Sequence, residues 1–84
     1  SFMDQMLHTD EGLRVEEVMV PVGFPGAALA RVLPKSKYYL LMAIHENGKW
    51  VFNPPEDHPV QPGVALVLMA SPQGRAQVES LLKS

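Results

Sequence analysis

The stretch YYLLMAIHENGKWVFNPPEDHPVQPGVALVLMAS, Tyr38 to Ser71, spells a β-hairpin and a returning buried strand and carries no catalytic constellation. Its turn is Asn47-Gly48, a pair that tolerates the left-handed backbone of a type I′ turn. On one side, Tyr39 to Ile44 offers no polar position, so this strand is expected to be covered on both faces. On the other, Lys49 to Asn53 alternates, with Trp50 and Phe52 on one face. Pro62-Gly63 suits a type II turn that feeds a second apolar strand, Val64 to Ala70. Two such strands predict the central pair of a small sheet, with helices on one face and room for a partner subunit on the other.

Outward from this stretch, Ser71-Pro72 is an N-cap followed by proline at the first helical position, and Val78, Leu81 and Leu82 form the inner stripe of a last helix. Upstream, Ala27 to Leu33 reads as a short helix stopped by Pro34, and Pro54 to Gly63 as a surface loop whose prolines cannot donate to a ladder. Leu13 to Val20 is a strand whose apolar alternation changes phase at Glu16-Glu17, which predicts a bulge there or a solvent-facing edge strand. Phe2, Met3, Met6 and Leu7 recur at helical spacing, so Ser1 to His8 reads as the end of an amphipathic helix. The expected fold is α+β: a four-stranded, mostly antiparallel sheet with two short helices, preceded by that helix end over residues 1–10, the domain itself being 11–84.

Composition narrows the function classes. A chain of 84 residues is one domain with a modest core, which association would supplement. With no cysteine, disulfides, thiolate metal sites and a cysteine nucleophile are excluded. The net charge of −2 disfavours a nucleic-acid footprint, which needs clustered Lys and Arg. No apolar run approaches the roughly 18 residues that cross a bilayer, and Ser1 to His8 lacks the basic start and apolar core of a signal peptide. His8, His45, His58 and Asp57 match no metal-ligand spacing, so surface histidines are the plainer reading. Neither Glu16-Glu17 nor Glu56-Asp57 has the spaced oxygen ligands calcium requires. Ser36, Ser71 and Ser80 lack a His and Asp pattern, and Gly23 and Gly26 lack the third glycine of a phosphate loop. Catalytic residues, cofactors and metals are therefore all expected to be absent. Trp50 stays open between an interface anchor and a filler of the hairpin's inner face.

Leu13-Arg14-Val15-Glu16-Glu17-Val18-Met19-Val20-Pro21, a glycine-containing loop and short helix, Tyr39 to Ile44, Asn53-Pro54, Pro62-Gly63 and Val64 to Ser71 occur in an order that resembles the TrkA C-terminal domain, the C-lobe of RCK (regulator of K+ conductance) proteins. The resemblance covers nearly the whole chain, and Ser1 to Leu7 is similar to the helix that leads into this lobe. It implies a non-enzymatic regulatory domain on the cytoplasmic face of a potassium channel's membrane. A nucleotide-binding N-lobe and a pore domain would accompany it in the full-length protein, and the lobe would form homodimers and in some members bind a small-molecule effector. Where members that bind a cyclic dinucleotide carry basic groups, this chain has His45-Glu46, which opposes phosphate. The same lobe occurs on antiporters and carboxylate transporters, and a free-standing sensor or adaptor is the rival from another class. Excess apolar surface marks Phe2, Met3, Met6, Tyr39, Leu41, Ala43, Trp50 and Phe52 as the expected interface.

Overall fold

A computed structural model describes residues 12–83. The expected helix end, with Phe2, Met3 and Met6, lies outside the described residues. In chain order the elements are β1 (Arg14–Met19), β2 (Ala27–Ala28), α1 (Leu29–Val32), β3 (Tyr39–Glu46), β4 (Lys49–Phe52), β5 (Pro59–Val60), β6 (Ala65–Ala70) and α2 (Pro72–Lys83). The main sheet has four strands in the order β1-β6-β3-β4, every neighbouring pair antiparallel. The two apolar strands are its centre, as their unbroken hydrophobicity predicts. The fold is thus a small α+β lobe.

Both turns form as their residues require. Asn47 and Gly48 have φ of 51° and 74°, the two positive values of a type I′ turn. Gly63 has φ of 85°, and Val64 N–H donates to Gln61 C=O at 3.4 Å across Pro62-Gly63, the type II arrangement. Ser71 caps α2: its Oγ accepts from Gly74 N–H at 3.1 Å.

One side of the sheet carries the core. Val18 of β1, Ile44 of β3 and Leu66, Leu68 and Ala70 of β6 pack there with Leu29, Val32 and Leu33 from α1 and its end, and with Val78 and Leu82 of α2. Arg75 Nη1 donates to Glu16 Oε2 at 2.6 Å and ties α2 to the edge strand β1.

One alternative is decided and two expectations change. No bulge interrupts β1, whose pairing with β6 is continuous from Arg14 to Met19. Glu16 and Glu17 simply face opposite sides, and Val15 and Met19 are exposed, so the apparent phase change is the alternation of a solvent-facing edge strand. The irregularity lies instead in β3, where Met42 is an extra residue between Leu41, opposite Leu68, and Ala43, opposite Val67. Helix α1 is a single turn entered from β2, which pairs with β5 inside the segment read as a surface loop. Val60 is wholly buried and pins that segment to the core.

Gly74 sets the seat of α2. A Cβ at this position would stand 1.9 Å from the Tyr38 carbonyl oxygen, so helix and strand approach closer than any side chain allows. In an exposed helix Gly→Ala gains up to ~1 kcal/mol. Here Gly74→Ala is expected to lower stability by ~2 kcal/mol or more, as overpacking does; Ala76→Gly, at an exposed position of the same helix, should cost only ~1 kcal/mol, and urea midpoints of the two variants check the contrast.

Candidate functional site

Alternation along the strands and the register between them define the face of the sheet opposite the core. Three rows cross it: Val15, Met69 and Leu40; then Glu17, Val67, Ala43 and Phe52; then Met19, Ala65, His45 and Trp50. Met42, displaced by the bulge, adds a further exposed thioether side chain. None of these residues belongs to the core cluster, and α1 and α2 both lie on the other side.

The face is apolar and shaped. Its centre is low, made by Ala43, Ala65 and Val67, while Val15 and Met19 on one border and Trp50 and Phe52 on the other stand high and exposed. Phe52 is 74% exposed. Trp50 stacks on His45 with ring centroids 4.4 Å apart and on Phe52 at 6.2 Å, which makes the β4 border a stiff aromatic ridge. Glu17 is the one carboxylate in the three rows, at the opposite border. Apolar residues scattered singly over a surface need no explanation, but a contiguous patch marks an interaction site.

The expected interface residues divide between the two faces. Ala43, Trp50 and Phe52 lie in the rows just described, and Trp50 is not a filler of the inner face. Tyr39 and Leu41 turn to the core side and pack against its cluster. The cause is the bulge: the extra Met42 reverses the phase, so side chains at 39 and 41 cannot share a face with 43. Leu40 and Met42 occupy the outer face in their place, which spacing alone could not show because every residue of that strand segment is apolar.

The histidines are placed apart. His45 stacks in the outer rows, whereas His58 Nε2 and Glu46 Oε1 lie 2.8 Å apart on the core side and clip the 54–63 segment to the end of β3. Among the described residues no three potential ligands gather around a common point. Among the same residues no helix is long and apolar enough to cross a membrane.

A second feature is a cleft of about 440 Å³ between α1 and the first half of β3. Its floor is Leu29, Leu33, Tyr39 and Leu41, and Lys35, Asn53 and Glu56 stand at its lip. The Tyr39 hydroxyl donates to the Pro34 carbonyl, and burial holds its phenol above the usual tyrosine range. Raised in the folded state, this group contributes stability that is complete below pH ~10 and is lost as pH climbs through the folded value. Tyr39→Phe should therefore fall less in stability than the parent chain between about pH 9 and 11, measured as paired urea midpoints. Neither a protein-family model nor a curated protein matches this chain.

Proposed function

We propose that this chain is a regulatory and assembly lobe of the RCK C-lobe type, which works by holding two copies in a geometry that attached domains can change. The observation that carries the reading is the outer face of the sheet, where Val15, Met19, Leu40, Met42, Trp50 and Phe52 stand exposed around Ala43, Ala65 and Met69, which are buried. The order strand, helical turn, hairpin, strand, helix supports it, being the order the resemblance implies. On that resemblance, the attached domains are a nucleotide-binding lobe and a potassium-conducting pore.

A second copy suits the face because the face complements itself. With a two-fold axis parallel to the strands and between β6 and β3, the β1 border of one copy lies over the β4 border of the other. Met19 then meets Trp50, Glu17 meets the rim beside Phe52, and the low centres face each other. A two-fold across the strands through the middle row would set Glu17 against Glu17, a like-charge contact that opposes it. Two sheets packed in this way cross at about −30° and enclose a layer about 10 Å thick. Rotation about that layer is the motion such an assembly offers for coupling an effector to a pore.

The test is sedimentation of the chain over a range of concentrations. A monomer–dimer equilibrium is expected, and Phe52→Glu should weaken it by roughly ten-fold or more, because it sets a carboxylate at the border against Glu17 of the second copy, while leaving the circular dichroism spectrum and the urea midpoint of the dilute monomer unchanged. A monomer at all concentrations overturns the assembly. In a full-length channel or transporter containing this chain, the same substitution should alter effector-dependent potassium flux through liposomes; unchanged flux and regulation overturn the transport reading.

A further inference from the structure

Strand β3 is eight residues long, yet β4 covers only its second half. Pairing stops at Ala43 with Phe52, and a last bond runs from Asn53 N–H to Met42 C=O at 3.3 Å. The reason is local. Asn53 takes φ of 47°, which turns the chain away, and Pro54 and Pro55 follow with no N–H to offer a ladder. The first half of β3 is left with an open edge.

The backbone groups at that edge can be identified. Ser71 N–H donates to Tyr38 C=O at 3.1 Å, so position 38 faces β6, and position 40, opposite Met69, faces it as well. In a strand alternate residues point their N–H and C=O to opposite sides. Tyr39 and Leu41 therefore aim theirs at the open side, where they meet no partner among the described residues. A bare strand edge is a template for another strand unless something blunts it.

The cleft of about 440 Å³ runs beside this edge, within the ~300–1,000 Å³ of small-ligand sites. Its floor of Leu29, Leu33, Tyr39 and Leu41 lies on the core side of the sheet, where alternate side chains of an added strand would point. Its ends differ in charge. Glu56 follows Asn53 and Pro54 and is bonded through its carbonyl to Ala30 N–H, at the Met42 end. Lys35 follows Pro34, which the Tyr39 hydroxyl touches, at the Tyr39 end. A strand antiparallel to β3 would run from the first end to the second. Its N-terminal side would meet the carboxylate and its C-terminal side the ammonium, whereas a parallel strand would oppose both.

We infer that the open edge of β3 takes the extended end of a peptide, antiparallel to Tyr39–Leu41, with an apolar side chain in the Leu29–Leu33 cleft and a carboxylate beside Lys35. Backbone bonds to Tyr39 and Leu41 supply affinity, and the cleft and Lys35 select the peptide. The carboxylate is the free C-terminus of the peptide, the end that an antiparallel strand brings to Lys35. This site opens at the edge of β3, sharing only Leu40 with the outer-face rows, and its backbone contacts at Tyr39 and Leu41 do not depend on the dimer.

The experiment is a titration of the 84-residue chain with acetyl-Ala-Val-Leu-Val, followed by amide ¹H–¹⁵N correlation and hydrogen exchange. Saturable shifts are expected at Tyr39, Leu41, Leu29 and Leu33, together with slowed exchange of the Tyr39 and Leu41 amides. A backbone N-methylated analogue should not bind. The C-terminal amide should bind roughly ten-fold more weakly, and recovery of that loss by acetyl-Ala-Val-Leu-Asp-amide would overturn the assignment to the free C-terminus. Lys35→Gln should erase the preference for the free carboxylate over the amide. Absence of saturable shifts, equal binding of the N-methylated analogue, shifts confined to Met19, Trp50 and Phe52, or Tyr39 and Leu41 amides already protected without peptide would each overturn the inference. Sedimentation of the same samples reports separately on the dimer.

Discussion

Everything in this lobe hangs on the pairing of β3 with β6. These strands supply Ile44, Leu66 and Leu68, which are wholly buried; β1, β4 and α2 lie against one of them, and α1 with the β2–β5 pair joins them through the shared core. The edge strand β1 is held by β6, the hairpin strand β4 by β3, and the helices by the apolar surface the pair presents. Burying a large aliphatic side chain is worth about 1.5–3 kcal/mol, so these three positions weigh heavily against the 5–15 kcal/mol by which domains are usually stable. The pair joins distant parts of the sequence, so its loop closure must precede most of the reward.

The same pair creates the functional tension of the fold. A central strand that is apolar at every position buries one face and must do something with the other. Solvent exposure of that second face is limited where Ala43 and Ala65 keep it low and Met69 is buried, while Leu40 of β3 and the large residues of β1 and β4 stand exposed. In the proposed assembly a second copy covers this face.

Much of this is legible in the residues. Asn47-Gly48, Pro62-Gly63 and Ser71-Pro72 mark two turns and a helix start because each needs a particular backbone conformation or capping oxygen, and each is found there. The unbroken runs mark the central strands for the same reason of composition. The short β2–β5 pairing was hidden because Ala27-Ala28 suits a helix and Pro59 argues against a ladder, and only the burial of Val60 draws that segment inward. The division of Tyr39 and Leu41 from Ala43 was equally hidden. A bulge inside an all-apolar strand leaves no trace in alternation, since both phases look alike. Whatever distinguishes an open strand edge from a covered one is also absent from the strand itself; it lies in Asn53, Pro54 and Pro55, on the neighbour that turns away.

The seat of Gly74 on Tyr38 reaches beyond packing. Tyr38 C=O receives Ser71 N–H, Ser71 caps the helix through Gly74, and Gly74 lets the helix lie against that same carbonyl. The start of β3, the end of β6 and the first turn of α2 are thereby one knot of backbone rather than three elements in contact. Fraying of this helix start is not a local event, because loosening it strips partners from the beginning of a central strand. The start of the helix should open with the sheet, as a single cooperative unit.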